Sequence, residues 1–269
     1  MTSMDPLEPP DPLDSLASLA SSASLDSLNP FRDEARSREL PEDEVERWLG
    51  TVRRCATLSP AGRTAPAGPV AGRIGGLPPM PEGEDVPELP FLALVDLAAI
   101  PPGATDLPLP KDGTLLFFAD TEDPWGDDDW ARLVHVPAGT PVSERAPDGD
   151  WESEALPAQD LYLTTELSLP NRGEDTEEFP HGMALGSVWW ETSDKVQTGG
   201  PVQIGGYPWV WNSNPVTEHD HGPGDWVLLA EIGGEDLTEG ELGIAYWVIR
   251  RGDLSAGRFD RVRACFDQV

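Results

Sequence analysis

Two acidic residues lie within apolar stretches that are typical of buried β-strands. Asp96 is the one charged residue of the stretch FLALVDL, and Glu231 is the one charged residue of WVLLAEI. A carboxylate in a buried strand must be paired or protonated, because an isolated buried charge is poorly solvated. Arg132 or Arg261 could pair with either acid. Alternatively, Asp96 and Glu231 converge and share a proton, which makes them our candidate catalytic residues.

A run of aromatic residues gives a candidate binding site. Tyr207, Trp209 and Trp211 alternate along the sequence, so on an extended chain they lie on one face. They form either one wall of the core or a platform for a peptide, a sugar or a flat ligand. Asn212 follows directly and could donate and accept hydrogen bonds. We predict the binding site at Tyr207–Asn212.

Two further patterns contain metal-ligating residue types. His219 and His221 would point to the same side of an extended chain, but Gly222-Pro-Gly indicates an exposed loop. A second loop is crowded with carboxylates, whose oxygens suit calcium or magnesium; its acids are Asp120, Glu122, Asp123, Asp127, Asp128 and Asp129. Its spacing is not that of an EF-hand, and a solvated loop explains it. We predict no metal and no cofactor; His219 and His221 are the candidate ligands if a metal binds.

The overall charge restricts the classes of partner. The chain has 49 acidic against 18 basic residues and a formal net charge of −31. Such a surface repels nucleic-acid phosphates, so we predict no nucleic-acid partner. It suits a basic protein partner, cations or a salty cytoplasm, or it serves solubility alone. The sequence lacks a P-loop, Gly-x-Ser-x-Gly, Gly-x-Gly-x-x-Gly and His-Glu-x-x-His, which makes an enzyme less expected.

The same sequence predicts a cytoplasmic protein without a membrane partner. No apolar run approaches the roughly 20 residues that a membrane helix needs, and the acidic N-terminus does not resemble a signal peptide. Cys55 and Cys265 lie far apart without a Cys-x-x-Cys pattern, so we expect two free buried thiols.

The chain divides by composition near residue 38. Residues 1–38 are rich in Pro, Leu, Ser, Ala and Asp and contain no aromatic residue before Phe31. We predict a disordered or weakly helical extension there, followed by one domain over residues 39–269. A helix should begin at Pro41, because acids follow it and an apolar stripe continues at helical spacing through Val45, Trp48, Leu49, Val52 and Ala56. Residues 59–69 then form a linker.

The body of the domain reads as β-rich. The content of 29 Pro and 27 Gly favours short elements joined by tight turns. Apolar runs predict strands over residues 91–97, 114–118, 133–136, 161–165, 226–232, 244–249 and 261–266, with a short helix over 183–194.

One β-rich unit occurs twice. Ile74-Gly-Gly-Leu-Pro78 matches Ile204-Gly-Gly-Tyr-Pro208, and the strand with Asp96 matches the strand with Glu231. A glycine-led strand follows 37 positions after the second glycine in both places, at Gly113 and Gly243. We therefore predict two related halves, at about 70–165 and 200–269.

Each half begins with a glycine-rich corner. Paired glycines permit positive φ, and proline then removes a hydrogen-bond donor and turns the chain out of a sheet. The corners are either folding devices or two facing loops that line a cleft and bind an anion through their N–H groups. Their residues are Gly75, Gly76 and Pro78, and Gly205, Gly206 and Pro208.

These motifs together resemble the YwqG-like bacterial domain of unknown function. The likeness rests on residues 74–78, 91–97 and 109–118, then 204–208, 226–232 and the stretch from Asp253 to Arg261. It covers roughly residues 40–269. The resemblance implies an α+β fold with antiparallel sheet in two related halves, and it brings no established activity. Some YwqG-like proteins are suggested to be immunity or interaction proteins.

The sequence thus predicts a β-rich α+β protein with mostly antiparallel sheets, two duplicated halves and an N-terminal helix. The expected function is a cytoplasmic binding protein that engages a basic protein partner through its acidic surface. The alternative is a hydrolase-like enzyme with a cleft between the halves. The sequence does not predict the oligomeric state.

Overall fold

The chain folds into two compact units. A computed structural model describes residues 25–62, 68–124, 129–146, 156–217, 224–233 and 243–268. The first unit, the helical unit, comprises Met1–Val52 and Asn171–Val196. The second unit, the sheet unit, comprises Arg53–Pro170 and Gln197–Val269. The helical segment Asn171–Val196 is thus an insertion in the sequence of the sheet unit.

The helical unit is built from three α-helices, α1 (Asn29–Ser37), α2 (Glu42–Leu49) and α3 (Gly182–Thr192). Short 3-10 turns precede α1 at Leu25–Leu28 and follow α3 at Ser193–Lys195. Phe31 and Trp189 are buried, with ring centroids 6.4 Å apart. The helix predicted over 183–194 is therefore confirmed as α3 with its final turn.

The structure bears on two predictions for the first 60 residues. Residues 1–24 of the predicted extension lie outside the described residues, but the part from Leu25 to Ser37 is helical and buries Phe31. The helix predicted from Pro41 ends at Leu49 and does not reach Ala56. Gly50 caps it by donating its N–H to the carbonyls of the preceding turn, and a strand begins where the apolar stripe was extrapolated.

The sheet unit contains twelve strands within the described residues. They are β1 (Arg53–Pro60), β2 (Val70–Ile74), β3 (Pro79–Pro81), β4 (Phe91–Asp96), β5 (Thr114–Ala119), β6 (Ala131–Val136), β7 (Val142–Glu144), β8 (Gln159–Ser168), β9 (Val202–Gly205), β10 (Trp226–Gly233), β11 (Gly243–Arg250) and β12 (Arg263–Gln268). A helix, α4 (Arg251–Ser255), and 3-10 turns at Leu97–Ala99 and Phe259–Arg261 connect them. All seven strands predicted from apolar runs are confirmed.

Ten of these strands form one antiparallel sheet. Its order is β12-β11-β10-β9-β1-β8-β2-β4-β5-β6, and β3 pairs separately with β7. Phe117 of β5 contacts Trp247 of β11 with ring centroids 4.9 Å apart, although the two strands lie near opposite ends of this order. Trp130 and Phe266 likewise approach to 5.9 Å. The sheet therefore rolls around one apolar core and nearly closes, and its two edge strands, β6 and β12, approach each other at a seam.

The outer face of the rolled sheet carries two smaller apolar clusters. One lies over β4–β6 and includes Phe91 and Phe118, and the other lies over β10–β12 and includes Leu228 and Tyr246. Between them, the outer face of the central strands is polar but buried. It includes Thr57, Glu166, Ser168 and Gln203.

The two outer runs of strands are arranged alike. β2-β4-β5-β6 and β9-β10-β11-β12 lie in the same order outward from the central pair β1-β8. The pairing register places Ile74 opposite Ala93 and Ile204 opposite Ala230. In both runs, the pairing with the next strand outward shifts register just before this alanine. The shift lies between Phe91 and Ala93 where β4 pairs with β5, and between Leu228 and Ala230 where β10 pairs with β11.

This register corrects the predicted match between Asp96 and Glu231. The two runs can be superposed by matching β4 to β10 through their pairing with β2 and β9, the strands that lead into the glycine corners. Glu231 then coincides with Leu94, and Asp96 coincides with Gly233. The sequence alignment was wrong by two positions. Side chains in a strand repeat every two residues, so a two-residue slip preserves the apolar pattern and cannot be detected from it.

Candidate functional site

The two predicted catalytic acids have different environments. Glu231 is partly buried on β10, and its carboxylate accepts the Trp209 N–H at 2.8 Å. Burial raises the pKa of Glu231 to about 7, and the hydrogen bond from Trp209 opposes this shift. Asp96 is exposed, and its carboxylate caps the following turn by accepting the Ala98 N–H at 2.9 Å. The expectation of a buried acid is wrong for Asp96, and Arg261 pairs with the preceding aspartate instead.

The buried polar side chains of the central strands, near Glu231, form hydrogen bonds with one another. The buried Glu166 carboxylate accepts the hydroxyl of Thr57 at 2.6 Å and both the N–H and the hydroxyl of Thr198. Burial raises the pKa of the Cys55 thiol, and the negative charges of Glu166 and Glu231 raise it further. A thiol held in its protonated form is a poor nucleophile. This buried group of side chains is therefore better suited to a structural role than to catalysis.

The aromatic segment is not a strand. β9 ends at Gly205, and Pro208 has no N–H with which to continue a ladder. The Arg53 guanidinium lies over the Tyr207 ring, 4.2 Å from its centroid. Trp209 and Trp211 pack, partly buried, against the outer apolar cluster of β10–β12. The three rings therefore do not lie on one face of an extended strand, and their positions favour the core-wall interpretation over a free platform.

Asn212 is held by the end of β12. Its N–H and side-chain amide donate to the buried Asp267 carboxylate at 2.8 and 2.7 Å, and the amide also donates to the carbonyl of Gln268 at 2.8 Å. Trp211 donates its N–H to the same carboxylate at 2.9 Å. The hydrogen-bonding groups predicted to meet a ligand therefore fasten this segment to the sheet.

The first glycine corner acts as a folding device. Gly75 and Gly76 have φ of 61° and 71°, a conformation that favours glycine. Their N–H groups donate to the carbonyls of Leu92 and Leu156 at 2.9 and 2.8 Å. A Cβ on Gly75 would lie 2.3 Å from the Leu156 oxygen. Pro78 follows and leads the chain out of the large sheet into β3.

The second corner has the same backbone conformation, and a carboxylate from another part of the chain lies next to it. Gly205 and Gly206 have φ of 70° and 76°. The Gly206 N–H points to the Asp106 carboxylate at 3.4 Å, and Arg251 pairs with that carboxylate at 3.1 Å. An anion of the chain itself thus lies at this corner, next to the buried Pro208.

The predicted metal ligands His219 and His221 lie outside the described residues. Over the part of the chain that the structure describes, no group of three or more His, Cys, Asp or Glu side chains could hold a metal ion. In the acidic loop, the Asp120 carboxylate accepts the N–H groups of Glu122 and Asp123 at 3.1 and 3.2 Å. That contact forms a turn.

A groove of about 510 Å³ lies at the seam between the edge strands. We call it the seam groove. Its lining comes from β6, β11, β12 and the turn before β12, and includes Leu133, His135, Trp247, Phe259, Val262 and Ala264. Two buried polar atoms there, Trp247 Nε1 and His135 Nε2, have no hydrogen-bond partner among the described residues. The groove thus has a lining of mixed polarity, and two polar atoms of its lining residues are buried without a described partner.

His135 is neutral in this setting. Burial lowers the pKa of its imidazole, and the nearby Asp112 carboxylate opposes this. Its ring packs against Phe259 with centroids 4.4 Å apart. Gly113, at φ 100°, makes room for it, because a Cβ there would lie 2.8 Å from His135 Nε2. A neutral imidazole can accept or donate at Nε2.

A second depression of about 660 Å³ adjoins the groove and shares Ala131 and Arg132 with it. We call it the acidic basin. It combines four carboxylates with one indole and one base: Glu88, Asp120, Asp123, Asp129, Trp130 and Arg132. The acidic loop is recognisable in the sequence by its run of carboxylates, but the groove beside it is not. The unpaired N–H of Trp247 has no sequence signal, since it depends on which strands meet when the sheet rolls up.

Comparison with known protein families identifies the family of this chain. A family model described as a domain of unknown function, DUF1963, matches residues 72–267. The chain belongs to this family. The match includes every residue that lines the seam groove and the acidic basin, and it confirms the sequence resemblance at the level of the DUF1963 family. A search of curated proteins found no match. No helix in the described part of this DUF1963 protein has the length and apolar character that a membrane span requires.

Proposed function

We propose that this DUF1963 protein is a binding module that holds a basic segment of a protein partner at the acidic basin and seam groove. The observation that carries the proposal is the acidic basin itself, a depression lined by four carboxylates together with Trp130. Carboxylates attract a cationic side chain, and the face of an indole adds a cation–π contribution. An arginine or lysine side chain is therefore the group that best complements the basin.

The charge of the basin is not neutralised within the described residues. Glu88, Asp123 and Asp129 are exposed, and none of the basin carboxylates forms an ion pair with a described residue. Arg132 is the single base of its lining. The net charge of −31 extends the field and would steer a basic partner toward the protein. Local and global charge thus favour the same class of partner.

The sequence resemblance supports a proposal for the setting of this function. We place the protein in the cytoplasm of a bacterium, where a YwqG-like immunity-type factor would meet its partner. Cys55 and Cys265 form no disulfide, which suits a reducing compartment. The symmetric strand order and the matched register shifts support a further proposal, that the two outer runs of strands arose by duplication.

A hydrolase-like enzyme is the second candidate, and one observation favours it. The pKa of Glu231 is about 7, which is suited to general acid–base catalysis at neutral pH. Its described polar neighbours, however, are engaged in hydrogen bonds with the chain itself. The binding function therefore has the stronger support.

Neutralising the basin is expected to weaken binding of a basic peptide about thirtyfold at low salt. The change is the double substitution Glu88→Gln and Asp123→Asn, which removes two exposed charges worth about 1 kcal/mol each at contact in water. The probe is the blocked peptide Val-Arg-Thr-Arg-Val-Arg-Thr, and titration calorimetry at 50 and 500 mM NaCl measures its affinity. Screening should abolish most of the difference at high salt.

The matched control removes the same charge elsewhere. Glu177→Gln with Glu178→Gln neutralises two exposed acids of the loop before α3. It should leave the affinity within about twofold of the unsubstituted protein. Equal losses in both double variants would show that only the overall charge matters, and would contradict a basin site.

A further inference from the structure

We propose that the seam groove binds an extended peptide as an additional β-strand on β6, with a hydrogen-bond acceptor of that peptide placed at Trp247 Nε1. The inference rests on the proposed function for the charge of the peptide, and it adds the mode of binding. Strand addition to a sheet edge obtains affinity from main-chain hydrogen bonds and specificity from alternate side chains. The structure offers both at one place.

The outward edge of β6 provides the main-chain groups. β6 is the last strand of the large sheet, and β5 is its neighbour. The Asp120 N–H donates to the Trp130 carbonyl at 2.8 Å. This hydrogen bond determines which residues of β6 direct their main-chain groups toward β5 and which direct them away from it. Because bonding directions alternate along a strand, Ala131, Leu133 and His135 direct their N–H and C=O groups toward the seam. A peptide strand there would find three residues spaced for pairing.

The two sides of the groove define where such a strand would lie. Leu133, Val262, Ala264 and Trp247 all line the groove and all pack with the main apolar core on the inner face of the sheet. Trp247 of β11 pairs with Ala264 of β12. The volume of about 510 Å³ falls within the range of ligand sites in proteins. A strand in this position would continue the sheet from β6 toward β12 and reduce its open seam.

The buried indole provides the observation that points to a ligand. Trp247 is fully buried, and its Nε1 has no hydrogen-bond partner among the described residues. Tryptophan can only donate, so the missing partner is an acceptor such as a peptide carbonyl or a threonine hydroxyl. His135 Nε2, also unpartnered, lines the same groove and can take either role. A strand with polar groups on its inward face satisfies both.

Charge selects the occupant. The groove is flanked by the exposed acids Glu84 and Asp260, of which Asp260 is paired with Arg261. The acidic basin adjoins the groove and supplies the carboxylates without a described ion pair. Residues 1–24 of the chain contain four acids and no lysine or arginine, and a second copy carries the same net charge of −31. Both are repelled. The occupant is therefore a basic segment of another protein.

N-methylated peptides test the strand geometry. The parent probe is the blocked peptide Val-Arg-Thr-Arg-Val-Arg-Thr, and two analogues carry N-methyl groups at either the odd or the even positions. Each methyl removes one N–H on one edge without changing charge. With the full-length protein at 50 mM NaCl, we expect at least one analogue to bind ten or more times more weakly than the parent.

The outcomes separate this inference from the proposed function. If all three peptides bind with affinities within twofold, strand addition is overturned while recognition of a basic segment stands. If the parent peptide does not bind at millimolar concentration, both are overturned. Tighter binding by a synthetic peptide of residues 1–24 than by the parent would overturn the choice of occupant.

A single substitution tests the indole donor. Trp247→Phe removes the N–H and keeps an aromatic ring, and we expect about fivefold weaker binding of the parent peptide. Trp226→Phe is the control, since Trp226 packs in the outer cluster on the opposite face of the sheet; its affinity should match the unsubstituted protein. Unchanged affinity in Trp247→Phe, with its thermal transition intact, would remove Trp247 from the site.

Discussion

Replacing Glu231 with glutamine is expected to stabilise the folded protein by about 3 kcal/mol at pH 8 and by only about 1 kcal/mol at pH 5. The reason is the pKa of Glu231, which burial raises from 4.5 to about 7. Ionising this carboxyl in the folded protein is therefore costly. Glutamine is uncharged at every pH and keeps an oxygen that can accept the Trp209 N–H.

The direction of the pH dependence follows from proton binding. Between pH 4.5 and 7 the folded chain keeps a proton on Glu231 that the unfolded chain has released. Rising pH therefore favours the unfolded state in this window, and the contribution is constant above pH 7. Below pH 4.5 both states are protonated, so the effect of the substitution disappears there.

Urea unfolding between pH 5 and pH 8 measures this difference. The control is Glu82→Gln, which neutralises an exposed acid and should give a curve parallel to that of the unsubstituted protein. Subtracting the curves removes the contribution of the other acids that titrate in the same range. Parallel curves for Glu231→Gln would mean that Glu231 is ionised in the folded state at an ordinary pKa.

The result also bears on the enzyme alternative. A natural carboxylate that costs stability at neutral pH is the kind of group that catalytic sites retain, because function constrains it. If a hydrolase-like activity is found, Glu231→Gln should abolish it while raising stability. Retained activity in the stabilised variant would exclude Glu231 as the catalytic acid–base.

The sequence predicted most strands but missed the centre of the sheet. Strands β4, β5, β10 and β11 are apolar runs, since they bury both faces. The central strand β1, with the sequence RRCATLSP, has no such run. Its outer face is buried beside the polar side chains of Glu166 and Gln203. Because β1 therefore lacks an apolar run, its sequence predicts the end of a helix followed by a linker. Local apolar pattern cannot reveal a strand whose buried neighbours are polar.

The functional residues were harder to predict for a different reason. Trp209 and Trp211 were conspicuous as aromatic residues, but tryptophans most often serve packing, and here they cover an apolar cluster. His135 and Trp247 become a site only because the rolled sheet brings β6 and β11 to one groove. That proximity is a property of the tertiary fold, and the distance along the chain conceals it.

Replacing Phe117 with alanine is expected to destabilise the protein by about 4 kcal/mol, which is typical of a buried aromatic residue. Phe117 is fully buried and contacts Trp247 edge-on across the rolled sheet. The neighbouring Phe118 is equally buried but faces the outer cluster, where it contacts Phe91 at 5.2 Å. Phe118→Ala should therefore cost a similar amount, so the loss of stability alone does not test the rolled architecture.

The coupling between side chains does test it. A double-mutant cycle with Phe117→Leu and Trp247→Leu should give an interaction free energy of about 1 kcal/mol from urea unfolding. The same cycle with Phe118→Leu should give a value near zero, because Phe118 lies on the other face of β5. Equal coupling in the two cycles would mean that β5 and β11 do not meet across a shared core. In that case the seam groove could not form, and strand addition at β6 would lose its structural basis.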